Sequence, residues 1–307
     1  MLSCPCHPQS ALRELASGQL HCSEASCTYY TEPFLQVDGQ PVLIDFAASV
    51  CTPDAFEQLE SGSLLDRKRS PIAKLVKRVI WGTSHRTRQN VTRFLTELKQ
   101  HNPKPTLLIV GGGAVGSGSE ALYGDADVTV VSFDIYASEH TDFVADAHDI
   151  PLKDGVVDGI WIQAVLEHVL EPQRVVAEIH RVLKNDGLVY SETPFMQQVH
   201  EKAYDFTRFT ESGHRWLFKD FALVDSGTVL GPGTALLWSM RHFAAGLFRI
   251  KKAGELLAVV FFWVRLLDRL IPQGNTSDAA SAVFFMGRKS DRAITRAEVI
   301  RFYRGVR

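Results

Sequence analysis

The 307-residue chain carries 33 Lys and Arg against 35 Asp and Glu, a formal net charge of −2. At roughly 100–200 residues per domain that length suits one large domain with an appendage or two modest domains, and the charge argues against a protein that coats a polyanion through a uniformly basic surface. A composition 45% apolar and 22% charged lies well away from the low-hydrophobicity, high-charge signature of disorder.

The start, Met1-Leu-Ser-Cys4-Pro-Cys6-His7, has neither a basic nor an apolar leader region, so a reducing, cytoplasmic setting is expected. Four of the five Cys (Cys4, Cys6, Cys22 and Cys27) crowd into the first 27 residues, and Cys51 stands apart as an expected lone thiol. Residues 1–45 read as a β-rich module. Gly18-Gln-Leu-His-Cys22 is a short strand entering a metal knuckle, and Phe34 to Val37 and Pro41 to Ile44 are strands joined by the hairpin signal Asp38-Gly39-Gln40. Cys4, Cys6, Cys22 and Cys27, with His7 available, form a candidate zinc site, although the spacing is irregular for a ribbon.

Residues 46–103 read as a basic helical connector. Between Arg67 and Lys99 there are ten Lys and Arg and one acid, Glu97, with apolar residues spaced for amphipathic helices. Such a segment is most often a solvated helix face, and its alternative use is contact with phosphates of RNA or of a lipid-linked substrate.

From residue 104 to 290 strands alternate with helices. Leu107–Val110, Val128–Phe133, Phe143–Val144, Gly159–Ile162 and Leu188–Ser191 are apolar runs, with a helix from about Pro172 to Leu183 before the last of them. Phe221–Asp225 and Ala282–Met286 add two more strands around a helical insertion at 235–271, and 291–307 is a tail. Near-continuous apolar strands separated by helices argue a doubly wound α/β fold with a mostly parallel, seven-stranded sheet. Gly111-Gly-Gly113-Ala-Val-Gly116 sits between the first strand and the region where a helix is expected to start, and Asp134 follows eighteen residues after Gly116 at the end of the second strand. Glycines there allow a tight turn and close approach of a ligand, and an acid at that strand end can accept hydrogen bonds from ribose hydroxyls.

Three further blocks separate the possible nucleotide ligands: Ala145-Asp146-Ala147-His148-Asp149-Ile150-Pro151, then Asp158-Gly-Ile-Trp-Ile-Gln163-Ala-Val-Leu166-Glu167-His168-Val169, then Arg181-Val-Leu-Lys-Asn-Asp-Gly187. In this order they resemble the class I S-adenosylmethionine-dependent methyltransferases of the small-molecule branch. The resemblance implies a Rossmann-like fold whose last strand is antiparallel. It also implies that Gly111, Gly113 and Gly116 approach the methionine and ribose of S-adenosylmethionine, that Asp134 binds the ribose, that Asp146 and Ala147 address the adenine edge, and that Gln163 lies over the methionine end. The family usually carries an acid two residues before the first glycine; here that residue is Ile109. The N-terminal run, from Gly18 through Tyr30 to Leu43, resembles the small zinc-ribbon family that activates methyltransferases in trans.

The Glu167-His168 pair reads first as packing and capping of the turn after strand four, with His168 a catalytic candidate for lying near the methyl donor. The stretch Glu192-Thr-Pro194 to His200, then Tyr204-Asp205-Phe-Thr-Arg208, falls where such a family's acceptor approaches. There His200 is the candidate base, Asp205 its orienting partner and Arg208 a clamp for an anionic acceptor. Trp238, Phe243, Leu247 and Phe248, interleaved with Arg241, Arg249, Lys251 and Lys252, suggest helices that lie in a membrane interface or form a lid or homodimer surface. The expected function is methyl transfer to an oxygen or nitrogen of a small-molecule, glycan or lipid-linked acceptor, in the cytoplasm, with peripheral membrane contact as one option. The alternatives are an RNA or translation-factor methyltransferase, a NAD-binding oxidoreductase, and an inactive cofactor-binding module.

Overall fold

The computed structural model describes residues 1–15, 18–57 and 84–305; part of the basic segment, residues 67–83, lies outside them. The five strands with apolar runs form parallel neighbours: β5 (Thr106–Val110), β6 (Thr129–Asp134), β7 (Phe143–Ala145), β8 (Val157–Gln163) and β9 (Leu183–Pro194). Two further strands complete this half of the sheet, β10 (Phe221–Leu230) and β11 (Ala282–Lys289), and β11 runs antiparallel to both β9 and β10. The chain winds outward from β5 through β6 to β7, then returns to place β8 and β9 on the other side of β5. The crevice where the winding reverses opens at the carboxyl ends of β5 and β8, the place where ligands bind in open α/β sheets.

Alternation along β5 feeds two cores. Leu108 and Val110 face Ile160, Ile162 and the buried stripe Val175, Val176, Ile179 and Val182 of a helix at Pro172–Val182. Leu107 and Ile109 face Trp161, Tyr190 and a second helix, His85–His101, which buries Val91, Phe94 and Leu98. That second helix corrects the connector boundary. It starts on a Ser84 side chain that accepts from Thr87 N–H, its Phe94 packs edge-on to Trp161 at 5.4 Å, and it presses so closely that a Cβ on Gly159 would lie 2.8 Å from Leu98. The domain therefore begins before residue 104. Arg86 and Arg93 pair with Asp225, and Lys99 with Asp125 and Asp127.

The sheet holds nine strands among the described residues where seven were expected. β1 (Leu12–Glu14) and β2 (Leu20–Cys22) form a separate antiparallel pair. β3 (Gln36–Val37) and β4 (Gln40–Leu43) form the expected hairpin, with Asp38 and Gly39 both at positive φ (50° and 78°) in a two-residue turn. Instead of standing apart, β4 adds to the sheet in parallel, Val42 against Val144 and Leu43 against Ala145, and so covers the edge of the three-residue β7. Ser3 N–H donates to Pro151 C=O (2.9 Å) at a second junction.

Numbering the helices in chain order gives α1 (Pro53–Glu57), α2 (His85–His101), α3 (Glu120–Tyr123), α4 (Pro172–Val182), α5 (Glu211–Leu217), α6 (Pro232–Phe248), α7 (Lys251–Val260) and α8 (Arg296–Arg301). The helix after the glycine turn is only the four residues of α3. The insertion between β10 and β11 comprises α6, α7 and a 3₁₀ stretch, Phe262–Leu270. Among the described residues no helix is long and apolar enough to cross a membrane.

Candidate active site

The turn after β5 is held by backbone and acid together. Gly111 and Gly112 N–H both donate to Phe133 C=O (3.0 and 2.9 Å), and Gly113 N–H donates to Asp134 Oδ2 (2.8 Å). Gly111 has φ of +77°, and a Cβ there would sit 2.2 Å from Val165 Cγ2. A Cβ on Gly113 would meet the Tyr136 ring at 2.4 Å, and one on Gly116 would meet Gln163 Oε1 at 2.3 Å. The turn thus needs glycine because the loops after β6 and β8 close on it. Gln163 Oε1 accepts from Trp161 Nε1–H (3.2 Å), and its amide reaches Ser117 C=O (3.4 Å) and Glu192 Oε1 (3.5 Å). The structure therefore brings Gly111, Gly113, Gly116, Asp134 and Gln163 together.

Asp146 and Ala147, expected at the adenine edge, are both buried after β7. Asp146 has both oxygens engaged: Oδ1 accepts from His148 N–H (2.9 Å) and lies 2.6 Å from His148 Nδ1, and Oδ2 accepts from Ser49 O–H (2.5 Å). Burial raises this carboxyl, but those bonds outweigh it and hold it below its ordinary value. Asp146 is thus an anchor for the N-terminal segment. Ile109 is buried in the α2-side core, so no carboxylate stands at that position. Glu192 lies opposite Gln163 in the β8–β9 register. It accepts from Tyr190 O–H (2.9 Å) and Thr87 O–H (3.0 Å), and burial pushes it up to about 7.

Beyond β8 the chain reverses through Ala164 at φ of 55°, a costly conformation for a residue with a Cβ. This throws Val165 onto Gly111 and Leu166–His168 into a 3₁₀ turn. Glu167 is wholly buried and among the described residues neither carboxylate oxygen has a hydrogen-bond partner; burial pushes its carboxyl up to about 8. His168 Nε2 and His200 Nε2 approach Glu167 Oε1 to 3.7 and 3.8 Å. The backbone N–H of His200 donates to Asp205 Oδ2 (2.8 Å), and its ring Nδ1 is hydrogen-bonded with Gln198 C=O (3.4 Å) and lies 3.3 Å from the same Asp205 oxygen, so the structure brings His200 and Asp205 together. Burial raises Asp205 too, but Arg208 and the His200 N–H outweigh it and bring it down to about 2.

Arg208 departs from its expected role. Its guanidinium pairs through both Nη atoms with Asp205 and also donates to the carbonyls of Gln197, Gln198 and Thr207. It staples its own loop and is not presented to an anionic acceptor. Glu167 and Glu192 are the site groups that sequence reasoning did not select. A signal for Glu192 was visible as an acid closing an otherwise apolar strand, whereas nothing local marks Glu167 as unpaired.

Near the N-terminus the Sγ atoms of Cys4, Cys22 and Cys27 lie within 4.8 Å of one another, all buried, with Cys4 and Cys27 3.8 Å apart. Four sulfurs at 2.3 Å around a tetrahedral zinc are about 3.8 Å apart, so the donors fit that ion. Cys6 is half-buried and outside this group of three, but its thiol is hydrogen-bonded with that of Cys4, and this together with burial raises Cys4. Burial pushes Cys27 up to about 12. Cys51, expected as a lone thiol, is buried beside Ile44, Phe56 and Val144.

A parallel sheet closed by an antiparallel strand between β9 and β10, with a glycine turn and an acid at its crevice, defines the class I methyltransferase fold. Residues 108–191 match the family model described as a methyltransferase domain. No curated protein matches the chain in sequence. Among solved structures, a protein assigned as a sarcosine dimethylglycine methyltransferase from Galdieria sulphuraria is 15% identical, with 71% of this chain and 98% of that chain covered at a TM-score of 0.46. Phosphoethanolamine N-methyltransferase 2 of Haemonchus contortus, in complex with S-adenosyl-L-methionine, is 14% identical, with 74% and 59% covered at a TM-score of 0.45. A chain of the complex between the Haloferax volcanii Trm112 methyltransferase activator and a methyltransferase is 15% identical, with 73% and 98% covered at a TM-score of 0.41.

Proposed function

We propose that the chain methylates an oxygen or nitrogen of a small-molecule, glycan or lipid-linked acceptor brought to the two neighbouring loops that carry His168 and His200. The observation that supports this most is the convergence of Glu167, His168, His200 and Asp205 one turn beyond Val165, the side chain that packs on the glycine turn. Bound S-adenosylmethionine supplies an electrophilic methyl group. Its adenosyl part would be held by the turn at Gly111, Gly113 and Gly116 with Asp134, and its methionine end by Gln163. The neighbouring Glu192 supplies a carboxylate where Ile109 does not.

Methyl transfer is an in-line displacement, so the chain's own work is to position the acceptor and to remove or offset its proton. His200, oriented by Asp205, does this with His168 beside it. Asp134→Ala is expected to abolish S-adenosylmethionine binding. His200→Ala is expected to retain that binding and lower turnover about 100-fold or more, the range of lost acid–base catalysis. Full turnover in His200→Ala contradicts its role. The acceptor itself is found by comparing methylated products in cells that lack or overproduce the protein.

Cys4, Cys6, Cys22 and Cys27 hold a structural zinc in this reading, so Cys22→Ser is expected to lower zinc content, and unchanged content overturns the assignment. The chain works in the cytoplasm, with the 235–271 insertion resting on a membrane surface.

A further inference from the structure

We infer that Glu167, His168 and His200 form a binding site for one divalent transition-metal cation at the acceptor end of the crevice. This rests on the reading of that cluster as the acceptor site. The three donor atoms lie within 4.8 Å of one another. Each histidine turns its Nε2 toward Glu167 Oε1, at 3.7 and 3.8 Å. Donors 2.1 Å from one ion at 90–110° to each other are about 3.0–3.4 Å apart, so each histidine–Glu167 gap needs to close by only a few tenths of an ångström, while the two histidines draw together from within 4.8 Å.

The other ring nitrogens are already engaged with oxygen. His168 Nδ1 is 2.5 Å from Tyr204 C=O, and His200 Nδ1 is hydrogen-bonded with Gln198 C=O (3.4 Å) and lies 3.3 Å from Asp205 Oδ2. A carbonyl or carboxylate on Nδ1 fixes the proton there and leaves the Nε2 lone pair for a metal, the outer arrangement that ligating histidines carry. Asp205 is itself locked by Arg208, and the loop hangs on the Glu167 carbonyl through Phe206 N–H (2.8 Å).

Glu167 supplies the second argument. Its carboxylate is fully buried, with neither oxygen hydrogen-bonded among the described residues, and the nearby guanidinium of Arg208 is turned onto Asp205 and three backbone carbonyls. An isolated buried carboxylate is costly. A proton on it finds no acceptor within hydrogen-bond reach at 3.7 Å, whereas a cation bridges that gap to both imidazoles. The two histidines remain about one-fifth exposed, which leaves a path in and open positions on the ion. Two imidazoles and one carboxylate suit zinc, manganese, iron or cobalt rather than calcium, and the open positions suit an oxygen-bearing acceptor. With the cation present, it is the ion that offsets the acceptor's proton, and His200 acts as ligand.

Manganese separates this site from the cysteine cluster, because thiolates select softer ions. The full-length protein, freed of metal by a chelator, is titrated with Mn²⁺ and read by electron paramagnetic resonance. One saturable site per chain is expected, displaced by Zn²⁺, retained in Cys22→Ser, and weakened at least about tenfold in Glu167→Gln and in His200→Ala. No saturable Mn²⁺ binding in the wild type, or equal affinity in both variants, overturns the inference. Calorimetry with S-adenosylhomocysteine on the same samples keeps the two readings apart. Cofactor binding without Mn²⁺ binding removes the cation site alone, and Mn²⁺ binding without cofactor binding removes the methyltransferase reading alone.

Discussion

Glu167 and Asp205 are carboxylates on neighbouring loops in opposite surroundings: the first is buried without a donor and pushed up to about 8, the second is bound by Arg208 and His200 and brought down to about 2. Environments that drive two acids apart are a mark of catalytic sites. Arg208→Ala is expected to leave cofactor binding intact and to lower turnover by loosening the His200 loop; turnover equal to wild type shows that the staple is dispensable. His214 gives a second test at this scale. It is buried, contacts Ser191 Oγ at 2.9 Å, and burial brings it down to about 3. The unfolded chain takes up a proton near pH 6.5 and the folded chain does not, so the stability tied to His214 is complete above that pH. It is lost as pH falls from about 6.5 toward 3, by up to about 1.4 kcal/mol per pH unit. His214→Gln is expected to flatten the fall in unfolding temperature between pH 6 and 4, and an unchanged slope contradicts this. That the glycines would meet Asp134 and that His200 would lie beside Asp205 was legible because placement follows from position along a strand pattern. The engagement of Arg208 and the isolation of Glu167 were not, because both depend on how a loop folds back on itself.

At the scale of elements, continuous apolar runs announced the parallel strands, and Asp38-Gly39 announced the hairpin turn. What no local pattern carries is pairing across about a hundred residues: β4 against β7 joins Leu43 to Ala145. The sequence reading consequently separated residues 1–45 from the domain and treated the amphipathic stripe of α2 as a connector, although Phe94 and Leu98 are core residues. Leu43 is fully buried within the same core cluster as Cys4, Cys22, Phe133 and Ile160. Leu43→Ala is expected to lower the stability of the whole chain by about 2–5 kcal/mol in a single unfolding transition. A separate early transition with the remainder unchanged shows instead that the N-terminal part folds independently.

Over the whole molecule, a net charge of −2 averages unlike regions. The insertion carries Arg241, Arg249, Lys251, Lys252, Arg265 and Arg269 against Glu255 and Asp268, and Asp268 caps α6 by accepting from Gly233 and Thr234 N–H (2.6 and 3.1 Å). On the same helices Phe243 is 70%, Leu256 66% and Leu270 77% exposed. An apolar face with a cationic rim suits the surface of an anionic bilayer. Cosedimentation with vesicles of phosphatidylglycerol is expected, weakened by salt and by Phe243→Ser with Leu270→Ser; equal binding to neutral vesicles, or none to either, contradicts the contact. The central claim is that the crevice at the carboxyl ends of β5, β6 and β8 is an S-adenosylmethionine site, and calorimetry tests it most directly. The account predicts one-to-one binding of S-adenosylmethionine and S-adenosylhomocysteine, lost in Asp134→Ala, with no binding of NAD; NAD binding with no response to either sulfur cofactor would contradict it.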